Sequence, residues 1–284
     1  MTDSHPGGNG RNPYVPYLAK IESTLDLTYD VRLFRVRFND PAVEEAFVYK
    51  PGQFAVVSAF GVGESPFDIC SLHQADAPLE FAIRRVGTVT SGLHSLEAGD
   101  VVGIRGPFGN WFPMEECRGK DILVIGGGIG MAPMRSVVNW VVDHRSDYGA
   151  LRVLNGARSP QDLVFTNEFD LWRSSPNSEL VLTVDRGDAE WKDRVALIPA
   201  VVTELNYSPD NSVAFVCGPP IMIKFTVKAL KELGFQGEQI VTTLESKMKC
   251  GIGKCGRCNI GQSYVCLDGP VYTFAQASHL LEEL

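Results

Sequence analysis

The chain has 284 residues, of which 44% are hydrophobic, so it is long enough for two domains with separate cores and a small additional lobe. Its 34 acidic residues outnumber its 26 basic residues, and the formal net charge of -8 disfavours a protein whose main partner is a nucleic acid. No apolar run reaches the roughly 18 residues of a membrane-spanning helix, and residues 1–12 lack the apolar core of a secretory signal, so we expect a cytoplasmic protein.

The first part of the chain predicts a β-rich domain. Residues 1–12 are rich in Gly, Asn and Ser, which is typical of a flexible tail. Over residues 13–115, short apolar or alternating runs are separated by turn residues such as Pro51-Gly52 and Gly106-Pro107. The clearest runs are Val31–Phe38, Phe54–Val57, Leu79–Ile83 and Val101–Ile104. This pattern predicts a small antiparallel β-barrel.

Residues 116–240 have a different pattern. The apolar run at 122–125 leads into a glycine-rich turn, and apolar residues at spacings of three or four then predict a helix that ends at Gly149. Three more apolar strands are predicted at Leu151–Leu154, Leu180–Val184 and Val213–Cys217. Strands that alternate with helices indicate a parallel sheet covered on both faces, which is an α/β domain.

Two glycine turns follow strands of this predicted sheet. The first contains Gly126, Gly127, Gly128 and Gly130, and the second is Cys217-Gly218-Pro219. A turn between a strand and a helix presents backbone N–H groups where a phosphate or pyrophosphate binds, although the spacing is not that of the standard dinucleotide fingerprint. The first turn alone is equally consistent with tight strand-to-helix packing, and Cys217 with a small buried apolar side chain.

Four of the seven cysteines lie in the last segment, residues 241–284. Their spacing is C-x4-C-x2-C-x7-C, and the residues are Cys250, Cys255, Cys258 and Cys266. This spacing favours the ligands of a [2Fe-2S] cluster, and the glycines between them suit a loop that folds closely around one. The alternative is a zinc site, since four thiolates also bind zinc. Lys249, Lys254 and Arg257 either favour cluster reduction or belong to an ordinary solvated loop.

These motifs, in this order, resemble the ferredoxin-NADP reductase superfamily. The resemblance rests on residues 126–133 and 217–220, and on Pro51–Phe54, Gly87–Thr90 and Gly106–Gly109 before them. With the C-terminal cysteines, the chain is similar to the branch that contains hydrogenase and sulfhydrogenase gamma subunits, one of the subunits of anaerobic sulfite reductase, and the electron-transfer subunit of dihydroorotate dehydrogenase. The resemblance implies a flavin-binding barrel, an NAD(P)-binding α/β domain and a small [2Fe-2S] lobe.

The same resemblance implies roles for individual residues. Gly87 and Thr90 would meet the flavin pyrophosphate, and Ile83 and Arg84 would lie along the isoalloxazine ring or ribityl chain. The nicotinamide nucleotide would be lined by Gly126–Gly130 and by Cys217–Pro219, with Cys217 close to the carbon that transfers hydride. Arg158 and Arg186 follow predicted strands, where they would hold adenosine phosphates or simply face solvent.

One segment departs from the superfamily pattern. The usual Arg-x-Tyr-Ser/Thr, whose arginine pairs with the flavin phosphate and whose hydroxyl faces flavin N5, corresponds to Ser65–Ser71 here. The best register aligns Phe67 with the tyrosine and Asp68 with the hydroxyl residue, leaving no arginine, while a shifted register uses Ser71. Asp68 would accept a hydrogen bond from the reduced flavin or alter its potential, or it is a surface acid. Backbone N–H groups, or Arg84 or Arg85, would then meet the phosphate charge.

The resemblance implies an electron-transfer subunit with FAD, a [2Fe-2S] cluster and NAD(P)H as cofactors, and with Asp68 and Cys217 nearest the chemistry. Hydride would pass from the nicotinamide to flavin N5, and single electrons from the flavin to the cluster. Because the chain offers no substrate-reducing centre of its own, we expect a hetero-oligomer with a partner such as a hydrogenase or a sulfite reductase. The alternatives are a free-standing NAD(P)H:ferredoxin reductase and a non-enzymatic scaffold with a zinc lobe.

Overall fold

The first domain is a six-stranded antiparallel barrel. The computed structural model describes residues 12–282, so the tail predicted for residues 1–12 lies outside the described residues except for Asn12. The strands are β1 (Tyr17–Asp26), β2 (Val31–Phe38), β3 (Phe54–Ala59), β4 (Gly63–Asp68), β5 (Leu79–Arg84) and β6 (Val101–Phe108), in the order β4-β3-β6-β1-β2-β5. Two short helices are inserted, α1 (Pro41–Ala46) and α2 (Thr88–His94). The Cys70 N–H donates to the Glu80 carbonyl at 3.0 Å, which links the segment after β4 to β5.

Alternation along the barrel strands creates two apolar surfaces. Ala55 and Val57 of β3 belong to the core inside the barrel, together with residues of β1, β2 and β6. Their neighbours Phe54 and Val56 point the other way and pack against the C-terminal segment. The period of two in a strand produces this division, and it leaves one outer face of the barrel covered by the segment that carries the four cysteines.

The second domain is built on a sheet that is parallel except at one edge. Its elements are β7 (Asp121–Gly127), α3 (Met131–Asp143), β8 (Leu151–Ala157), α4 (Phe169–Ser174), β9 (Ser178–Val184), β10 (Arg194–Val195), α5 (Ile198–Leu205), β11 (Ser212–Cys217), α6 (Pro220–Glu232) and β12 (Ile240–Thr243). Ile122 and Val124 face the core beneath α3, whereas Leu123 and Ile125 face the core beneath α5 and α6. The predicted sheet with helices on both faces is confirmed.

Helix α3 ends earlier than the sequence predicts. It stops at Asp143 rather than near Gly149, because His144 leaves the helical conformation (φ -111°, ψ 40°). The N–H of His144 and its ring Nδ1 both bond the carbonyl of Trp140, at 3.0 and 2.9 Å, and so cap the helix. The following residues 145–147 form a separate short turn.

The C-terminal segment contacts both domains. It contains β13 (Asn259–Ile260), β14 (Ser263–Tyr264), α7 (Val265–Asp268), β15 (Val271–Thr273) and α8 (Phe274–Glu282). β15 pairs antiparallel with β12, so the second sheet has the order β10-β9-β8-β7-β11-β12-β15. None of the helices in residues 12–282 is long and apolar enough to cross a membrane.

Candidate redox site

A titratable cluster forms where β4 of the barrel meets the carboxyl edge of the second sheet. Cys217, the last residue of β11, lies with its Sγ 3.1 Å from Thr243 Oγ1 at the end of β12. Burial raises the pKa of the Cys217 thiol to about 12, and the charges of Asp68 and Glu245 add to this rise. The thiol is therefore neutral at physiological pH and suited to packing against a ligand rather than to acting as a base.

Asp68 ends β4 and belongs to the same cluster. Burial raises the pKa of its carboxyl to about 7, and the negative charge of Glu245 raises it further in the same direction. A carboxyl poised near neutrality can hold or release a proton at this position. Sequence reasoning singled out Asp68 and Cys217 but missed Glu245, which follows β12 with no motif to mark it.

The two glycine turns touch each other through their backbones. A Cβ built on Gly130 would lie 2.6 Å from the Cys217 carbonyl oxygen and from the Gly218 backbone. Gly126 and Gly127 leave room for the side chains of Met131 and Met222. Close packing therefore explains these three glycines without a ligand, which is the alternative that the sequence left open. The same close packing joins the two glycine turns into one surface, and Pro219 is exposed next to this surface.

Arg84 connects the barrel to the first glycine turn. It ends β5, and its Nη2 lies 3.6 Å from the position of a Cβ on Gly128, a residue with φ +55°. Its Nε is buried and lies 3.3 Å from Asp30 Oδ2 in an ion pair, without a hydrogen bond. Arg84 thus places a positive charge of the barrel beside the first glycine turn.

The other predicted flavin residues have local roles as well. The Thr90 hydroxyl accepts the N–H groups of Val86 and Gly87 at 2.9 Å and donates to the Gly87 carbonyl at 3.0 Å, so it holds the turn before α2. Ile83 packs its side chain into the barrel core, and Phe67 packs against that core while staying half-exposed. Gly87 is exposed. These contacts neither require nor prevent a flavin beside the turn.

Arg158 and Arg186 lie side by side after the ends of β8 and β9. The Arg186 N–H donates to the Arg158 carbonyl at 3.0 Å, and both residues are exposed. The Arg158 guanidinium bonds Tyr29 Oη at 3.2 Å and Asp162 Oδ1 at 2.9 Å. Two adjacent cations at the carboxyl edge of a parallel sheet are suited to an anionic ligand.

Three of the four cysteines, Cys250, Cys258 and Cys266, are buried, and Cys255 is exposed. Cys258 and Cys266 share one apolar cluster with residues of the barrel. Four cysteines in one segment supply the number of thiolates that a [2Fe-2S] cluster needs. Across residues 12–282, no three His, Cys, Asp or Glu side chains close around one ion-sized point.

Backbone N–H groups of the loop point at these sulfurs. Lys254 donates to the sulfur of Cys250 at 3.3 Å, and Gly253 to that of Cys266 at 3.1 Å. Burial raises the pKa of the Cys250 thiol, but the backbone hydrogen bonds outweigh it and lower the pKa to about 7. The glycines at 251, 253 and 256 all have φ between 68° and 76°, as the sequence predicts for a loop of unusual backbone. Burial raises the pKa of the Cys266 thiol to about 12, and the neighbouring Cys258 adds to this rise. The backbone N–H groups therefore favour the thiolate at Cys250, and the four cysteines together provide the ligand set of the cluster.

Models of three protein families match the chain in the same order as these sites. An oxidoreductase FAD-binding domain matches residues 18–112, an oxidoreductase NAD-binding domain matches 124–228, and the iron-sulfur cluster binding domain of dihydroorotate dehydrogenase B matches 245–277. The sulfhydrogenase 1 subunit gamma of Pyrococcus furiosus is 41% identical over 270 residues, covering 93% of this chain and 92% of that protein. The chain belongs to this family of electron-transfer subunits.

More distant relatives agree with the assignment to the electron-transfer subunit family. A probable dihydroorotate dehydrogenase B (NAD(+)) electron transfer subunit from Methanocaldococcus jannaschii is 30% identical, with 90% of this chain and 89% of that protein covered. The fold also matches a chain from the structure of an NADH-dependent reduced ferredoxin-NADP oxidoreductase, with a TM-score of 0.75 at 22% identity over 93% of this chain and 92% of that one. The subunit thus carries the domains for FAD, a nicotinamide nucleotide and a [2Fe-2S] cluster.

Proposed function

We propose that this electron-transfer subunit moves hydride between NAD(P)H and FAD, and single electrons between FAD and a [2Fe-2S] cluster held by Cys250, Cys255, Cys258 and Cys266. The segment from residue 241 onward that carries the four cysteines is called the cysteine lobe below. The observation that carries the proposal is the contact between this lobe and the barrel. Phe54 is the cross-strand partner of Asp68, and it packs in one apolar cluster with Cys258 and Cys266. One strand pair thus spans from the predicted hydride site to the predicted cluster.

Residues on both sides of the cleft have defined tasks in this proposal. When bound, FAD and the cluster supply hydride acceptance and one-electron exchange. Arg84 supplies positive charge for a phosphate in place of the arginine missing from the segment 65–71. Cys217 packs as a neutral thiol against the nicotinamide, and Asp68 holds a proton near neutral pH where the reduced flavin needs one. Arg158 and Arg186 bind the adenosine phosphates.

We further propose that a partner subunit binds at the outer edge of the cysteine lobe. Cys255 is exposed, whereas the other three cysteines of the lobe are buried. Exposed basic residues flank it in the sequence of a chain whose net charge is -8, and they are Lys247, Lys249, Lys254 and Arg257. Such a patch suits an acidic face of a redox enzyme, which would exchange electrons with the cluster. Sulfhydrogenase gamma and dihydroorotate dehydrogenase electron transfer subunits are relatives whose names place them in such complexes. Their example supports a catalytic partner for this subunit, and we propose a cytoplasmic location for the complex.

An anaerobic absorbance titration of the purified protein with NADH, and separately with NADPH, tests the proposal. We expect one nucleotide to bleach a flavin band and then a cluster band. Arg158→Gln and Arg186→Gln, compared with Arg173→Gln on the surface of α4, should raise the nucleotide concentration needed without changing the amplitude. No bleaching with either nucleotide would contradict the hydride step. Recovery of the subunit alone from native cells at high and low salt would favour a free-standing reductase.

A further inference from the structure

Arg105 is a buried cation between the barrel and the cysteine lobe. It lies on β6, its side chain is 2% exposed, and its cross-strand partner is Val56. Cross-strand partners share a face of the sheet, and Val56 packs against Cys258 and Cys266. Arg105 therefore points at the lobe rather than into the barrel.

The Arg105 guanidinium bonds backbone carbonyls of the cysteine lobe on one edge and the Glu64 carboxylate on the other. Its Nη1 donates to the carbonyl of Cys250, the first cysteine of the lobe, at 2.9 Å, and its Nη2 lies 3.5 Å from the Lys249 carbonyl. On the other edge, Nη2 and Nε bond the two carboxylate oxygens of Glu64 on β4 at 2.7 and 3.2 Å. Nη1 also reaches the carbonyl of Pro13 at 3.4 Å. The cation thus faces the lobe, while its counter-charge lies on the opposite edge.

Packing alone does not account for an arginine at this position. A desolvated guanidinium is expensive, and an apolar side chain of similar volume commonly stabilises such a site as well or better. The ring of Phe108, 5.8 Å from the guanidinium carbon, shows that apolar neighbours are available. Phe108 also lies against Gly251, where a Cβ would come within 2.8 Å of the ring. Because burying the Arg105 guanidinium costs desolvation free energy, its presence here indicates a role that requires the positive charge itself.

We propose that Arg105 is a positioning residue that fixes the Cys250 end of the cluster loop on the barrel and raises the reduction potential of the cluster. The inference rests on the proposed function, because it requires a cluster on the four cysteines. Reduction adds a negative charge to the cluster, and a buried cation one carbonyl away favours the reduced state. Glu64 has the opposite influence, weakened by its 41% exposure to solvent.

The two halves of this ion pair give the test. Both Arg105→Gln and Glu64→Gln break the pair, so loosening of the loop alone would move the potential in one direction for both. The electrostatic role instead predicts opposite directions. An EPR-monitored redox titration of the purified holoprotein should give Arg105→Gln a potential lower by at least about 28 mV, which is a threefold change in the ratio of oxidised to reduced cluster at 59 mV per decade. Glu64→Gln should shift the potential upward by a smaller amount.

Arg105→Lys serves as the conservative variant, and it should restore the wild-type potential because the charge remains. Arg37→Gln, a barrel arginine paired with Glu22 and Glu44, should leave the potential unchanged. If Arg105→Gln does not bind a cluster, the reduction potential of Glu64→Gln tests the inference alone. A potential equal to or lower than that of the wild type in Glu64→Gln would then overturn the inference. Shifts of the same sign in Arg105→Gln and Glu64→Gln overturn it as well. Absence of a [2Fe-2S] signal from the wild-type protein would count against the proposed function instead.

Discussion

Replacing Arg135 by methionine tests how the barrel and the second domain are held together. This α3 residue is 9% exposed, and it bonds Glu80 of β5 at 2.5 Å and Glu168 at 2.7 Å, each carboxylate being 10% exposed. Removing one partner from a buried ion pair costs about 3–5 kcal/mol, because a charge is left uncompensated. Glu80 keeps Arg35 at 2.7 Å and Glu168 keeps the Asn139 amide at 3.1 Å. A neighbouring cavity of about 320 Å³ has room for water. We therefore expect Arg135→Met to lower the free energy of unfolding by about 3 kcal/mol, the lower end of that range.

The assay is urea unfolding of the holoprotein at pH 8, followed by tryptophan fluorescence and by release of the flavin. The matched control is Arg118→Met, because Arg118 bonds Glu115 and Asp147 at 2.6 Å but is 49% exposed, and we expect no measurable change. Equal unfolding midpoints for the two variants at pH 8 would refute the reasoning.

Two further predictions concern the cleft and the cluster loop. Burial raises the pKa of Asp68 to about 7, so the folded protein holds a proton that the unfolded chain has released, and stability falls as pH rises through this window. The free energy of unfolding of Asp68→Asn, measured by urea titration relative to that of the wild type, should therefore rise by up to about 3 kcal/mol between pH 5 and pH 8. A difference between the two proteins that stays constant over this pH range would contradict the raised pKa. Gly253→Ala should bind less iron than Gly256→Ala, because Leu267 must move to admit a Cβ at position 253, whereas position 256 has a similar φ and free space. Equal iron contents would rule out the steric cause.

The sequence was informative where local pattern and structure coincide. The strand at 31–38 and the strand-turn-helix at 122–131 follow from apolar periodicity and from glycines, which act over a few residues. The positive φ angles at Gly251 and Gly253 likewise follow from the spacing of the cysteines around one loop. These features depend on neighbours in the chain.

Features that depend on distant segments could not be predicted. Strand β4 contains glycine, proline and charged residues, and it exists because β3 pairs with it. The antiparallel addition of β15 to β12 depends equally on tertiary contacts. Arg105 and Arg135 look like ordinary charged residues of a strand and a helix, yet each is buried by a segment more than 50 positions away. Glu245 acquires its place near Asp68 in the same way.

Electron counting tests the central claim most directly. Purified protein with one FAD and one [2Fe-2S] cluster per chain should consume about 1.5 equivalents of the preferred nicotinamide nucleotide anaerobically, since the flavin takes two electrons and the cluster one. The third electron should appear as an EPR signal that is absent from Cys258→Ser. Uptake of only about one equivalent by the wild-type protein, with bound zinc and no EPR signal, would contradict the account.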